Sequence, residues 1–208
     1  MSAVDSEQSP HRVSNPMGRI ILVRHGPTQF NVEGRLQGQM DIPLSHEGKR
    51  KAASLAPHVL ALLREVDNCV ALTSPLRRAR STAEILCSHV DIPLRVDARL
   101  TEVSFGCWEG LTIREINARW RGTPQSSRLS WANFCPDGEP YEDAIGRADD
   151  WLKDFGDRNV LIVTHGVIGS LIRGRYARLS KDEMLRLPVG HNTIVVLSDG
   201  KERQFQYL

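Results

Sequence analysis

Two histidines, each preceded by a short apolar run and followed by glycine, have the clearest capacity for chemistry in this chain. They are His25 in Ile20-Ile21-Leu22-Val23-Arg24-His25-Gly26 and His165 in Val160-Leu161-Ile162-Val163-Thr164-His165-Gly166. A neutral imidazole nitrogen is a competent nucleophile toward phosphorus, and attack by His25 on a phosphate ester would split one hard displacement into two easier ones through a phosphohistidine. The transferring group carries negative charge, which arginine meets with fixed, paired donors. Arg24, beside His25, and Arg78, in Ser74-Pro75-Leu76-Arg77-Arg78, are the candidates. Their guanidinium charge should also keep His25 neutral and nucleophilic.

A departing alkoxide needs a proton. Glu102, in a loop expected at the same edge, is placed to give one and then to act as base on the water that hydrolyses the intermediate. His165 would donate to the phosphoryl oxygens as the second half of an anion clamp, and backbone N–H groups of the two His-Gly turns would complete the cradle. Each residue also has a plain reading: His25 as a satisfied core histidine, Arg78 as a helix-face arginine, Glu102 as a loop acid with Glu109 close by. Their joint presence favours the site. A metal held by His25, His165 and Glu102 is opposed by the arginines, which would repel a cation.

Both apolar runs read as strands buried on both faces, and in open α/β sheets ligands bind beyond the carboxyl ends of the strands. Between them the chain alternates. After a polar loop at residues 31–43, a helix capped by Ser45 should reach about Arg64, kinked or divided at Pro57. A strand is expected over residues 68–73, then a helix to about His89 with Pro75 at its first position, and a short strand over 94–96. A loop with aromatic anchors spans 100–110 and a helix 111–120, while residues 121–140, rich in Gly, Pro and Ser, read as a lid or pocket wall. Helices over 142–155 and 167–177, a helical turn at 181–185, and strands over 193–197 and 202–207 complete the pattern. This alternation predicts an α/β fold with a mostly parallel central sheet covered on both faces.

With 208 residues and 40% hydrophobic content, the chain can build one sizeable core, expected over residues 19–208 after a loose polar tail at 1–18. A net charge of +2 is too balanced to argue for nucleic acid or a membrane surface as partner. Cys69, Cys87, Cys107 and Cys135 form no Cys-x-x-Cys pair, so no zinc or redox signature exists, and reduced thiols in a cytoplasmic protein are the expectation. No apolar run approaches the roughly 18–20 residues of a membrane span, and the leader lacks the apolar centre of a signal peptide. Arg77, Arg80 and the Lys49-Arg50-Lys51 run read as solvated. His11, His46, His58, His89 and His191 read as surface or structural, and Trp108, Trp120, Trp131 and Phe134 as core or loop anchors. Arg114, Arg121 and Arg128 along the wall either face solvent or meet a second anionic group on the substrate.

The chain resembles the histidine phosphatase superfamily, the phosphoglycerate mutase-like proteins. The resemblance rests on four ordered blocks: Arg24-His25-Gly26-Pro27-Thr28 with Asn31; Ser74-Pro75-Leu76-Arg77-Arg78-Ala79 continuing to Thr82-Ala83; Leu100-Thr101-Glu102 leading to Phe105-Gly106-Cys107-Trp108-Glu109-Gly110; and Thr164-His165-Gly166 with the tail His191-Asn192-Thr193. It implies a three-layer α/β/α sandwich and a metal-independent reaction without a cofactor. It also implies His25 as the phosphorylated nucleophile, Arg24 and Arg78 as phosphate binders, Glu102 as proton donor and His165 as the second histidine. Thr28, Asn31, Gln37, Gly38 and Gly166 fall where the family lines its phosphate and substrate pocket. Lys51 and Pro57 depart from the family pattern, away from the chemistry.

The expected activity is hydrolysis of a small phosphorylated metabolite. A phosphoglycerate mutase is the competing enzyme. Thr28 and the short stretch between Gly110 and Tyr141 favour the phosphatase branch, since a mutase must shield its phosphohistidine with extra covering segments. A silent module that docks a phosphorylated ligand is the non-enzymatic alternative, and the retention of His25, Glu102 and His165 opposes it. A homodimer is the base-rate expectation.

Overall fold

The computed structural model describes residues 18–120, 135–188 and 190–207. The expected tail, the wall residues Arg121, Arg128, Trp131 and Phe134, and His11 lie outside the described residues.

Six strands form one sheet: β1 (Ile20–Arg24), β2 (Val70–Thr73), β3 (Leu94–Val96), β4 (Val160–Thr164), β5 (Thr193–Ser198) and β6 (Lys201–Gln206), in the order β3-β2-β4-β1-β5-β6. β1, β4, β2 and β3 run parallel to one another, while β5 pairs antiparallel with both β1 and β6. The alternation within each apolar run sorts its side chains between two cores. Ile20, Leu22, Val160 and Ile162 join Trp108, Trp151, Phe155, Ile168 and Leu171 on one face. Ile21, Val23, Leu161 and Val163 join Leu55, Val59, Ala79, Ala83 and Leu86 on the other.

Helices α2 (His46–Leu63) and α3 (Arg77–Cys87) cover the second face, and α5 (Tyr141–Phe155) with α6 (Gly166–Tyr176) the first. The result is the three-layer α/β/α sandwich with a mostly parallel sheet. Three short α-helices, α1 (Gln29–Glu33), α4 (Ile113–Arg119) and α7 (Lys181–Arg186), and two 3-10 turns, Ala98–Leu100 and Gly106–Trp108, complete the described elements. Among the described residues no helix is long and apolar enough to cross a membrane, and all four cysteines are free.

Three local details differ from the sequence reading. The stretch after β1 is not all loop, because Thr28 caps the one-turn helix α1 through a reciprocal capping box with Asn31. α2 is continuous across Pro57. The ring lies on the exposed side, with Ala53, the residue whose carbonyl loses its bond, also exposed, so water can take the freed acceptor. α3 begins at Arg77, which puts Pro75 outside the helix. Its first N–H group, that of Arg77, donates instead to Asp41 Oδ1 at 2.7 Å, a cap supplied from a distant loop.

Candidate active site

Pairing β1 with β4 in register, Arg24 against Thr164, places the two residues that follow side by side. His25 N–H donates to the Thr164 carbonyl at 2.9 Å, and the His25 and His165 rings stand 5.1 Å apart at 57°. The next residue, Gly26, packs so closely on α2 that a Cβ there would lie 2.6 Å from the Gly48 carbonyl. Gly26 N–H donates to Thr82 Oγ1 at 3.0 Å, and Thr82 donates to the Arg78 carbonyl at 2.7 Å. One hydroxyl thus joins the turn after β1 to the first turns of α3.

His25 Nδ1 lies 2.7 Å from the Gly26 carbonyl. A carbonyl only accepts, so Nδ1 carries the proton and Nε2 keeps its lone pair. The ring is buried and held well below the ordinary imidazole range, first by that burial and then by the charges of His165, Arg24, Arg78 and His191. The expected direction holds, with desolvation and not the arginines as the larger cause.

His165 follows the same logic with a different partner. Its Nε2 sits 2.7 Å from Ser74 Oγ, which also accepts the Leu76 N–H at 3.3 Å and has a proton of its own to give the ring. With Ser74 as donor, Nδ1 carries the ring proton, and this buried atom has no partner among the described residues. Burial first, then Arg78, Arg24 and Arg147, hold His165 well below its usual range.

Arg78 is fully buried, and burial pulls its guanidinium below the ordinary range, against the pull of Glu102, Asp41 and Glu109. It donates to the Met40 carbonyl at 2.6 Å and the Gly38 carbonyl at 2.7 Å, while Nε has no partner among the described residues. Gly38 has φ +49°, and a Cβ there would meet Glu109 Oε1 at 2.0 Å, so glycine alone allows this loop to bring its carbonyls to Arg78.

Glu102 is buried across the pocket at the N-terminus of α6. Its Oε1 accepts the N–H groups of Val103 and Ile168, and Oε2 accepts that of Val167, each at 3.1 Å. The carboxyl therefore satisfies two of the orphan donors of α6, a use that sequence alone did not suggest. With one donor against two, Oε2 is the oxygen with room for a proton.

His25, Arg78 and Glu102 line one pocket of about 250 Å³ together with Arg24, Asn31, Gln37, Gly38 and Gly166 among others, whereas His165, with Arg24, lines a separate and smaller pocket. Leu36, Phe105, Ile113 and Val167 supply its apolar surface, and Arg35 lines it with its guanidinium engaged by Glu33 and Glu115. Thr28, expected at the substrate, is instead fully buried behind it, donating to Gln37 Oε1 at 2.9 Å. The capping box and this bond occupy the side-chain oxygens of Asn31 and Gln37 and leave their amide nitrogens for the pocket. Arg114 is exposed on α4 and does not line the pocket. Among the described residues no three His, Cys, Asp or Glu side chains come together as a metal-holding group.

His191, read from sequence as surface or structural, lies beside His25. Its Nδ1 donates to the His25 carbonyl at 2.7 Å, and its ring packs edge-on 5.4 Å from that of His25. The signal was available in register: β5 runs antiparallel to β1 with Ile194 opposite Val23, so residues just before β5 must lie beyond the carboxyl end of β1.

A mostly parallel sheet presents a neutral imidazole, two guanidinium groups and a carboxyl around one pocket, with a second imidazole 5.1 Å from the first, an arrangement suited to a phosphate ester. Residues 20–208 match the family described as Histidine phosphatase superfamily (branch 1), and the chain belongs to that family. It is 34% identical over 189 residues to the glucosyl-3-phosphoglycerate phosphatase of Mycobacterium tuberculosis, covering 83% of this chain and 78% of the relative. It is 31% identical over 164 residues to an Escherichia coli protein named "Probable phosphoglycerate mutase GpmB", covering 75% and 74%. A solved mycobacterial glucosyl-3-phosphoglycerate phosphatase in complex with VO3 superposes with a TM-score of 0.76 at 29% identity, covering 91% of this chain and 98% of that one.

Proposed function

We propose that this chain hydrolyses small phosphate monoesters through a phosphohistidine at His25, without a metal. The observation that carries the reading is the His25 Nδ1 to Gly26 carbonyl bond at 2.7 Å, which leaves the Nε2 lone pair as the ring's free nucleophile. In the first step Nε2 forms a bond to phosphorus as the bond to the ester oxygen breaks, and the Glu102 carboxyl gives its proton to the leaving oxygen. In the second step the Glu102 carboxylate takes a proton from water, whose oxygen attacks phosphorus as the P–N bond breaks. Inorganic phosphate leaves and His25 returns neutral.

Arg24 and Arg78, which line the pocket, hold the non-bridging oxygens through both steps, and His165 Nδ1, buried without a partner among the described residues on the ring beside His25, is the further donor. The arginines oppose a cation in the same cradle. The relatives named as phosphatases support hydrolysis as the net reaction, and the mutase-named relative marks transfer back to an organic acceptor as the competing one. Leu36, Phe105, Ile113 and Val167 suit an ester whose carbon skeleton packs against apolar surface.

The test is phosphate release from a panel of esters, including glucosyl-3-phosphoglycerate, in the presence of a chelator, with 3-phosphoglycerate isomerisation assayed alongside. Release that persists in chelator and is lost in His25→Ala, with no isomerisation, supports the reading. Isomerisation faster than release makes the chain a mutase, and silence on every ester makes it a binding module.

A further inference from the structure

Glu102 follows a single 3-10 turn, Ala98–Leu100, and none of the carbonyls from Arg99 to Glu102 lacks a side-chain donor. Arg147 Nη1 donates to the Arg99 carbonyl at 2.8 Å and to the Thr101 carbonyl at 2.9 Å. Thr164 Oγ1 donates to the Leu100 carbonyl at 2.7 Å, and Gln39 Nε2 to the Glu102 carbonyl at 3.1 Å. Two of the four bonds come from one arginine on α5. That arginine is itself locked: Nε and Nη2 grip the two oxygens of Glu139 at 2.8 and 2.9 Å. Glu139 closes the strap from the other side of the acid, because its Oε2 accepts Ser104 N–H at 3.3 Å and its own N–H donates to the Ser104 carbonyl at 2.9 Å. The chain is therefore clamped immediately before and two residues after Glu102 by one ion pair.

We infer that Arg147, with Glu139, is a positioning residue for proton transfer: it fixes the peptide planes that aim Glu102 at the leaving oxygen. The inference rests on Glu102 being the general acid. It assigns Arg147 no contact with substrate. A lysine could supply the charge but not the planar fork that bonds two carbonyls and a carboxylate at once.

The loss of a general acid is felt most by esters whose leaving group is a strong base, since a good leaving group departs without a proton. The measurement is kcat/KM, which reports the first chemical step, for an alkyl phosphate and for p-nitrophenyl phosphate, in the wild type, Glu102→Gln, Arg147→Met and Glu139→Gln. Glu102→Gln should lower the alkyl ester by about 10²-fold or more and p-nitrophenyl phosphate far less. Arg147→Met should reproduce that skew, costing the alkyl ester on the order of tenfold more than the aryl one, with added guanidinium ion restoring part of the alkyl activity. Glu139→Gln, which keeps Arg147 but loosens its grip, should skew the same way by a smaller factor and keeps the test open if Arg147→Met does not fold. Equal losses on both esters in the Arg147 and Glu139 variants, with the skew present in Glu102→Gln, overturn the inference. No skew in Glu102→Gln overturns the assignment of the acid and the inference with it.

Discussion

Replacing His25 by Gln should flatten the dependence of stability on pH between about 6.5 and 5. In the folded protein both His25 and His165 are buried and their pKa values are depressed, so each stays neutral, whereas the unfolded chain takes up a proton at each below about pH 6.5. The unfolded state therefore binds more protons across this window, and stability rises with pH: it is fully present above the unfolded pKa and lost as the pH falls toward the folded one. Each histidine contributes a limiting slope of about 1.4 kcal/mol per pH unit, which integrates to about 2 kcal/mol between pH 7 and pH 5, or about 4 for the pair. Against a typical domain stability of about 5–15 kcal/mol this is a large share. Carboxylates held below their ordinary 4.5, such as Glu33, Glu47 and Glu115, titrate beneath the window. The assay is urea unfolding at half-unit steps from pH 7 to 5, with the slopes of wild type, His25→Gln and His165→Gln compared. Each variant should lose about 1.4 kcal/mol per pH unit of slope at the acid end. A wild-type stability that is level across the window, or a His25→Gln slope equal to that of the wild type, would refute a neutral, desolvated His25.

The same depression places the acid limb of kcat/KM attributable to His25 well below pH 6.5, which a pH–rate profile on p-nitrophenyl phosphate checks. Thr82→Val removes the acceptor of the buried Gly26 N–H while keeping the shape, and chemical denaturation should show a loss of about 1–3 kcal/mol. Arg78→Lys cannot serve the Gly38 and Met40 carbonyls and the phosphate together, and should lower kcat/KM by about 10²-fold in steady-state assays. Gly38→Ala combines a positive φ with a clash on Glu109; it should lower thermal stability, with the backbone strain alone worth about 1–2 kcal/mol, and raise KM.

What was legible in the sequence was whatever local pattern dictates. The runs at 20–23 and 160–163 had to be central strands because they carry apolar side chains on both faces, and a strand ending in Arg-His-Gly or Thr-His-Gly had to present those residues at the sheet edge. The four ordered blocks then contained Asn31, Arg78, Glu102 and Gly166, and the resemblance they carry added Gln37 and Gly38 to the pocket lining. What stayed hidden depends on partners far away in the chain. Ser74 reads as a helix opener, but α3 starts three residues later and the hydroxyl meets His165 Nε2 instead. Thr28 reads as a substrate ligand, but its hydroxyl is spent on a helix cap and on Gln37. His191 reads as surface or structural until the antiparallel register of β5 is known, and the carbonyl-by-carbonyl support of the Glu102 loop draws on α5, β4 and the 37–40 loop together.

The most direct test of the central claim is to trap the intermediate. The enzyme is mixed with p-nitrophenyl phosphate, quenched in alkali within milliseconds, digested and read by mass spectrometry. A phosphoryl group on the peptide containing His25, stable to base, labile to acid and absent in His25→Ala, is the predicted result. Phosphate release at full rate with no such peptide, or with the phosphoryl group on another residue, would contradict it.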